Sequence, residues 1–272
     1  MSADNERWAL VLGVSTGTGA AISRSLARDP GLNIFGIHRG HYMDDARALE
    51  SDLRESGRKA HLLVADAGTP EGVQSCGAAI REIVPARSIA MMVHSLSGAS
   101  IGHFLRDRDD AFTPRNIDKT FNYLAHSFVY WSQYLHEHDM LAPSARILGL
   151  TNALHDGLLH NLGLVAAAKE ALQSYVRYLA VELGRHGHRV NLLKFGTVVT
   201  PALRTVMGPK ALERLEAVHR EMVPAGRIGN LEEVARMVSI LARDEAEWFN
   251  GATIDYTGGM TLRWFDMVLQ PD

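Results

Sequence analysis

Short apolar runs alternate along the chain with longer segments in which apolar residues recur every three or four positions. The apolar runs, which favour β-strands, cover residues 8–14, 32–38, 61–65, 89–94, 145–150, 189–195 and 253–256. The segments of helical period cover residues 17–28, 44–56, 70–84, 114–138, 164–183, 209–222 and 231–242. The clearest helix is 164–183, where one apolar stripe consists of Leu164, Ala168, Leu172, Val176, Leu179 and Leu183.

This alternation predicts the fold class. Strands that are separated by helices pair in parallel, and right-handed crossovers place those helices on both faces of the sheet. We therefore expect an α/β protein with a single Rossmann-type, doubly wound parallel sheet that spans residues 1–272. A hydrophobic fraction of 46% is enough for one sizeable core.

Composition narrows the expected partners and location. The net charge of -3 gives no reason to expect a nucleic-acid partner. No signal-peptide pattern or membrane-length apolar run is present, so we expect a cytoplasmic protein without a membrane partner. The single cysteine, Cys76, excludes an internal disulfide and is interpreted as a packing residue. The 13 histidines are scattered without the spacing of a metal site, so no metal is expected.

The turn between the first strand and the first helix is rich in glycine and hydroxyl residues. Glycines at this junction permit a tight turn and a close approach of the backbone to a pyrophosphate, which the helix N-terminus then binds. The alternative is an ordinary glycine-rich turn. We expect a dinucleotide here, bound by Gly13, Ser15, Thr16, Gly17, Thr18 and Gly19.

The end of the second strand favours one type of dinucleotide. NAD-binding sites usually place an acid there for the ribose hydroxyls. This strand ends instead in His38 and Arg39, and a guanidinium suits the 2′-phosphate of NADP(H). The sequence therefore predicts NADP(H) as the cofactor, the alternative being that Arg39 is a solvated arginine at a helix entry.

The segments Lys169-Glu170-Ala171-Leu172 and Arg189-Val190-Asn191 add to the glycine turn. With these motifs, the chain from residue 8 to about 259 resembles the short-chain dehydrogenase/reductase superfamily. The resemblance implies that Asp66 and Ala67 contact adenine and that Asn122 helps to hold a proton-relay water. It also implies that the segment after the sixth strand contacts the nicotinamide amide through Gly196, Val198 and Thr200. Members of this superfamily are usually tetramers or dimers, so a homo-oligomer is expected.

One motif is similar to the bacterial enoyl-acyl-carrier-protein reductase branch. After the fourth strand the chain reads His94-Ser95-Leu96, where most of the superfamily has asparagines and alanine. The resemblance places His94 and Ser95 at the cofactor, although His94 is also interpreted as a hydrogen-bonded core histidine. The glycine turn, in contrast, has the common spacing of the superfamily rather than the longer spacing of this branch.

The active-site helix keeps the family's lysine, Lys169, but lacks its tyrosine. The position four residues before the lysine is Val165, and the enoyl-reductase position, seven residues before it, is Leu162. The position of the helper serine is Asn152, with Thr151 beside it. Lys169 is then left with a role at the nicotinamide ribose, and Asn152 or Thr151 is a candidate hydrogen-bond donor.

Three functions stay open at this point. Reduction of an activated C=C bond tolerates the loss of the tyrosine best, because an enolate can be stabilised by hydrogen bonds alone. Carbonyl reduction would need a relocated acid, for which His155, Asp156 and His160 are candidates. A non-redox protein with the same cofactor pocket is the third. Residues 201–226 are interpreted as an apolar lid for a hydrophobic or acyl substrate, and 264–269 as a segment that packs on a neighbouring subunit.

Overall fold

The computed structural model describes residues 6–105, 107, 109–153, 161–260 and 262, apart from the side chains of residues 202, 205 and 206. Seven parallel strands form one sheet in the order β3-β2-β1-β4-β5-β6-β7. The strands are β1 (Arg7–Leu12), β2 (Leu32–His38), β3 (Ala60–Val64), β4 (Ile89–His94), β5 (Leu141–Asn152), β6 (Arg189–Phe195) and β7 (Thr253–Tyr256). This order is that of a doubly wound sheet, so the predicted fold class is confirmed.

Eight α-helices connect the strands within the described ranges. They are α1 (Gly17–Leu26), α2 (Met43–Glu55), α3 (Pro70–Arg81), α4 (Pro114–Phe121), α5 (Ser127–Glu137), α6 (Gly163–Gly184), α7 (Pro201–Met222) and α8 (Leu231–Leu241). Several begin where the sequence supplies a cap. Thr69 accepts a hydrogen bond from the Gly72 amide at the start of α3, and Asn230 forms a capping box with Glu233 at the start of α8.

The first strand shows why the sheet carries helices on both faces. Along β1 the side chains of Trp8 and Leu10 enter one core cluster, which they share with α3, α5 and α6. Those of Ala9 and Val11 enter a second cluster, shared with α1, α2 and α8. A strand that is buried on both faces reads as a continuous apolar run, which is the pattern seen in the sequence. Cys76 is buried in the first cluster, as predicted, and burial raises the pKa of its thiol to about 11.

Three elements differ most from the sequence expectation. The fifth strand begins at Leu141 rather than at residue 145. The helix expected over 114–138 is divided by a π-helical turn, Asn122–His126, which connects α4 to α5. The helix expected from Pro209 begins at Pro201, because Thr200 caps it and the proline suits the first helical position. A kink at Gly208 (φ 69°, ψ 171°) separates its two halves.

Candidate functional site

A cavity of about 490 Å³ opens at the carboxyl ends of β1, β2 and β4. The chain reverses its direction of strand addition between β1 and β4, and ligands of doubly wound sheets bind at this switch point. Most of the residues expected to bind a dinucleotide line the cavity: Gly13, Ser15, Thr16, Gly17, Thr18, Arg39, Ala67, Ser95 and Thr200. The structure therefore brings residues from five separate segments of the chain to one site.

Two glycines at this site have no room for a side chain. A Cβ atom on Gly13, which has φ 88°, would lie 2.5 Å from the carbonyl oxygen of Ser95. A Cβ atom on Gly19 would lie 1.9 Å from the carbonyl oxygen of Gly13. Gly19 thus lets α1 approach the turn, although it does not itself line the cavity. These contacts explain the glycine spacing by backbone packing.

The N-terminus of α1 faces the cavity with amide groups that no described side chain caps. Thr16 occupies the N-cap position without a side-chain hydrogen bond to the helix. Helices α3 and α7, in contrast, are capped by the hydroxyls of Thr69 and Thr200. Free amides at a helix N-terminus attract an anion, so the residues present fit the pyrophosphate of a nicotinamide dinucleotide.

Arg39 lines the cavity, whereas Asp66, the expected adenine contact, does not. The exposed guanidinium donates a hydrogen bond from Nη2 to the carbonyl oxygen of Ser97 (3.3 Å), and its Cζ lies 4.8 Å from the ring centroid of Tyr123. The hydroxyl of Tyr123 donates to Oδ2 of Asp66, whose Oδ1 accepts from the amide of Gly68. Sequence reasoning did not identify Tyr123. The sequence signal that could have drawn attention to Tyr123 is its position directly after Asn122, a predicted site residue.

His94 has a different environment from the one that the family resemblance implies. Its side chain is 1% exposed, its Nε2 lies 2.8 Å from Oγ of Ser127, and its ring packs edge-on against Phe128. It does not line the cavity. Burial, together with a smaller effect from the charge of Lys169, lowers the pKa of His94 to about 3. The alternative interpretation, a hydrogen-bonded core histidine, is the one that the structure shows, and Ser95 is the residue of this pair that lines the cavity.

Lys169 projects from α6 toward the end of β5. Its Nζ donates to the carbonyl oxygen of Leu150 (2.8 Å), and the residue is only 8% exposed. Burial lowers the pKa of Lys169 to about 8. The neighbouring Thr151 is buried and Asn152 is half-buried at the last position of β5. Lys169 and its two candidate hydrogen-bond donors therefore meet at the carboxyl edge of the sheet.

The first turn of α6 carries apolar residues where the family has its acid. Leu162 is at the N-cap position and Val165 is the third helical residue, and both are half-buried. None of the seven tyrosines of the chain lies between residues 135 and 174. The candidate acids His155, Asp156 and His160 lie outside the described residues. The predicted packing segment 264–269 also lies outside them.

The π-helical turn begins at Asn122, the residue expected to hold a relay water. It packs against α6, the helix of Lys169. Single π turns inside helices are frequent at functional sites, because they displace the local backbone groups from the regular pattern. This placement is compatible with the expected role of Asn122, which stays a prediction.

The segment after β6 leads from the sheet into α7. Gly196 and Val198 line a second cavity of about 200 Å³, and Thr200 lines the first. Between them, the hydroxyl of Thr197 lies 2.8 Å from Nε2 of His219, and both residues are buried. The second half of α7, which is part of the predicted lid over 201–226, is therefore held against this segment.

The described part of the chain shows neither a metal-binding group nor a membrane-spanning helix. None of its histidine, cysteine, aspartate and glutamate residues form a group of three or more that could hold a metal ion. Across the same ranges, no helix is long and apolar enough to cross a membrane.

A family model described as Enoyl-(Acyl carrier protein) reductase matches residues 13–261. A solved short-chain dehydrogenase/reductase from Serratia marcescens covers 94% of this chain and 98% of its own, with a TM-score of 0.81 and 23% identity, which supports the fold. The chain belongs to the short-chain dehydrogenase/reductase superfamily. A short-chain dehydrogenase from Burkholderia cenocepacia, solved in complex with NADP, is 26% identical with a TM-score of 0.78 and covers 94% of this chain and 98% of its own.

The relatives of this chain in the superfamily are oxidoreductases, and this similarity supports an oxidoreductase activity for the chain. The 1-cyclohexenylcarbonyl-CoA reductase of Streptomyces collinus is 25% identical over 96% of this chain and 89% of its own length. The 3-oxoacyl-(acyl-carrier-protein) reductase of Pseudomonas aeruginosa is 29% identical over 93% of this chain and 97% of its own. The first name describes a reductase of a substrate carried on CoA, and the second a reductase of a 3-oxoacyl group carried on acyl carrier protein.

Proposed function

We propose that this chain is an NADPH-dependent reductase that transfers hydride to an activated C=C bond of a hydrophobic or acyl substrate. One observation carries the proposal. The chain keeps a buried Lys169 but has the apolar residues Val165 and Leu162 at the positions where the family has its acid. Supporting similarities are the enoyl-reductase family model and the 1-cyclohexenylcarbonyl-CoA reductase.

The choice of NADP(H) rests on charge at the cavity mouth. Arg39 lines the cavity at the end of β2, and its guanidinium can bind a 2′-phosphate through two parallel hydrogen bonds. The helix N-terminus at Gly17 supplies amides for the pyrophosphate. NADPH supplies the hydride when it is bound. The residues of the chain then have to position the substrate and stabilise the charge that develops on it.

The reaction type follows from what the site can and cannot donate. In carbonyl reduction the developing alkoxide needs a proton, and a positioned acid typically contributes about a hundred- to ten-thousand-fold to such a step. When hydride adds to the β carbon of an enoyl thioester, the π electrons move to the carbonyl oxygen as an enolate. That oxygen needs only hydrogen-bond donors, and water can protonate the α carbon afterwards.

Candidate donors stand at the carboxyl edge of the sheet. Asn152 carries an amide at the end of β5, Thr151 carries a hydroxyl, and Lys169 carries a charge below pH 8. We propose that one of the first two binds the enolate oxygen and that Lys169 binds the nicotinamide ribose. The apolar Val165 and Leu162 exclude water around the reacting carbons. Assembly as a homo-oligomer and a cytoplasmic location remain predictions.

Oxidation of NADPH with paired substrates tests the proposal. We expect turnover with an enoyl thioester or cyclic enone and none above background with the matching saturated ketone. Asn152→Ala and Thr151→Val serve as a pair, and the variant that removes the true donor should lower kcat by about 10²- to 10³-fold, as for an oxyanion-stabilising group. Turnover of the saturated ketone alone would contradict the proposal and favour a relocated acid.

A further inference from the structure

Tyr123 occupies a space that two glycines leave open. A Cβ atom on Gly68 would lie 2.6 Å from the tyrosine ring, and one on Gly98 would lie 2.8 Å from it. Tyr123 is 7% exposed, yet it lies beside the cavity lined by Gly98 and Arg39. The backbone on either side is thus adapted to a full aromatic ring at this position.

The hydroxyl of Tyr123 engages the carboxylate of Asp66. Burial raises the pKa of Tyr123, and its bond to Asp66 raises it further, so the hydroxyl stays protonated and donates. The other carboxylate oxygen of Asp66 accepts from the amide of Gly68 (2.8 Å). Both oxygens of the Asp66 carboxylate are therefore occupied, and the tyrosine ring is held in one orientation.

The ring presents its face to the guanidinium of Arg39. The separation of 4.8 Å between Cζ and the ring centroid is within the range of a cation–π contact. The hydrogen bond to the Ser97 carbonyl fixes a second point of the same guanidinium. Arg39 is exposed and has a long side chain. Without these two contacts, binding a ligand would cost the rotamer entropy of that side chain and so weaken the affinity.

We infer that Tyr123 determines cofactor selectivity by holding the Arg39 guanidinium in place for the 2′-phosphate of NADP(H). This inference rests on the proposed function, because it assigns a second residue to the same cofactor site. Tyr123 is a positioning residue that acts through Arg39. NADH has no 2′-phosphate, so its binding gains little from an ordered guanidinium, and the contact changes the ratio of the two affinities.

The test measures Kd for NADPH and for NADH by fluorescence titration, which needs no substrate. Tyr123→Leu should lower the ratio of Kd for NADH to Kd for NADPH by about two- to fivefold, the size of an exposed cation–π contact. Tyr123→Phe keeps the ring and should keep the ratio. A change in packing alone would weaken both dinucleotides together and leave the ratio unaltered.

A double-mutant cycle separates action through Arg39 from any other effect. In an Arg39→Ala background, Tyr123→Leu should not change the ratio further. If Tyr123→Leu does not fold, Tyr123→Met tests the same idea, because a flexible methionine fills the space beside Gly68 and Gly98 without an aromatic face. The ratio should then fall as well.

The outcomes distinguish the inference from the proposed function. Loss of selectivity in Tyr123→Leu or Tyr123→Met, with the ratio kept in Tyr123→Phe, supports the inference. An unchanged ratio in Tyr123→Leu or Tyr123→Met overturns the inference. The proposed cofactor still stands in that case if the wild type binds NADPH. Failure of the wild type to bind either dinucleotide overturns both.

Discussion

Acid is expected to destabilise the fold because two histidines are buried in their neutral forms. Burial lowers the pKa of His94 to about 3 and that of His188 to about 4, with nearby Lys169 and the neighbouring His136 adding to the respective shifts. In the unfolded chain a histidine has a pKa of about 6.5. Below that pH the unfolded state binds more protons than the folded state, so stability falls as the pH falls.

The structure gives the size of this effect. Each pKa unit is worth about 1.4 kcal/mol, so at pH 5 each of the two histidines lowers the free energy of unfolding by about 2 kcal/mol. Together they remove about 4 kcal/mol, which is a large part of the roughly 5–15 kcal/mol that stabilises a typical domain. Above pH 6.5 their contribution to stability is fully present, and it is lost progressively down to their folded pKa values.

Urea unfolding between pH 7.5 and 5 measures the slope directly. His94→Gln retains a partner for Ser127 but cannot titrate. Below pH 6 its free energy of unfolding should therefore fall less steeply than that of the wild type, the slopes differing by about 1.4 kcal/mol per pH unit. His41→Gln is the matched control, because His41 is exposed and its variant should keep the wild-type slope. Equal slopes in the wild type and His94→Gln would refute the assignment of a neutral, buried histidine.

Three further predictions address the cofactor site and the missing acid. Gly19→Ala should lower the free energy of unfolding by about 1–3 kcal/mol and weaken NADPH binding, because its Cβ would meet a backbone carbonyl, whereas Gly31→Ala in an exposed turn should do neither. Equal effects of the two glycine variants would contradict this account of the turn. NADPH affinity of the wild type should decrease as the pH rises through about 8, where Lys169 loses its charge, and the profile of Lys169→Met should be flat. An unchanged NADPH affinity in Lys169→Met would remove the lysine from the ribose site. Val165→Tyr should create ketone reductase activity, measured as NADPH oxidation, and no gain would show that the loop after β5 departs from the family geometry.

The fold was predictable because its signals are local. Each strand is a short apolar run, and burial on both faces, as at Trp8 and Ala9, makes that run continuous. The glycine turn was predictable for the same reason, since the contact between Gly13 and Gly19 lies within seven consecutive residues. The π turn at Asn122 was not predictable, because helical residues continue on both sides of it. At Gly208 the sequence indicated a helix start after the kink but not the helical segment from Pro201 that precedes it.

The details of the site depend on contacts between distant segments. Arg39, Asp66 and Tyr123 come from three different parts of the chain, and only the folded sheet brings them together. The environment of His94 was also open in the sequence. A histidine at a strand end can face the cofactor or the core, and here the core contact with Ser127 accounts for its position.

The central claim is that hydride reaches the β carbon of a conjugated substrate although the tyrosine is absent. The most direct measurement uses NADPH that carries deuterium at the transferable position, with a panel of enoyl thioesters, enones, quinones and ketones analysed by mass spectrometry. Our account predicts deuterium on the β carbon of a conjugated substrate. Deuterium only on carbinol carbons, or none in any product while NADPH binding is confirmed in the same samples, would contradict it.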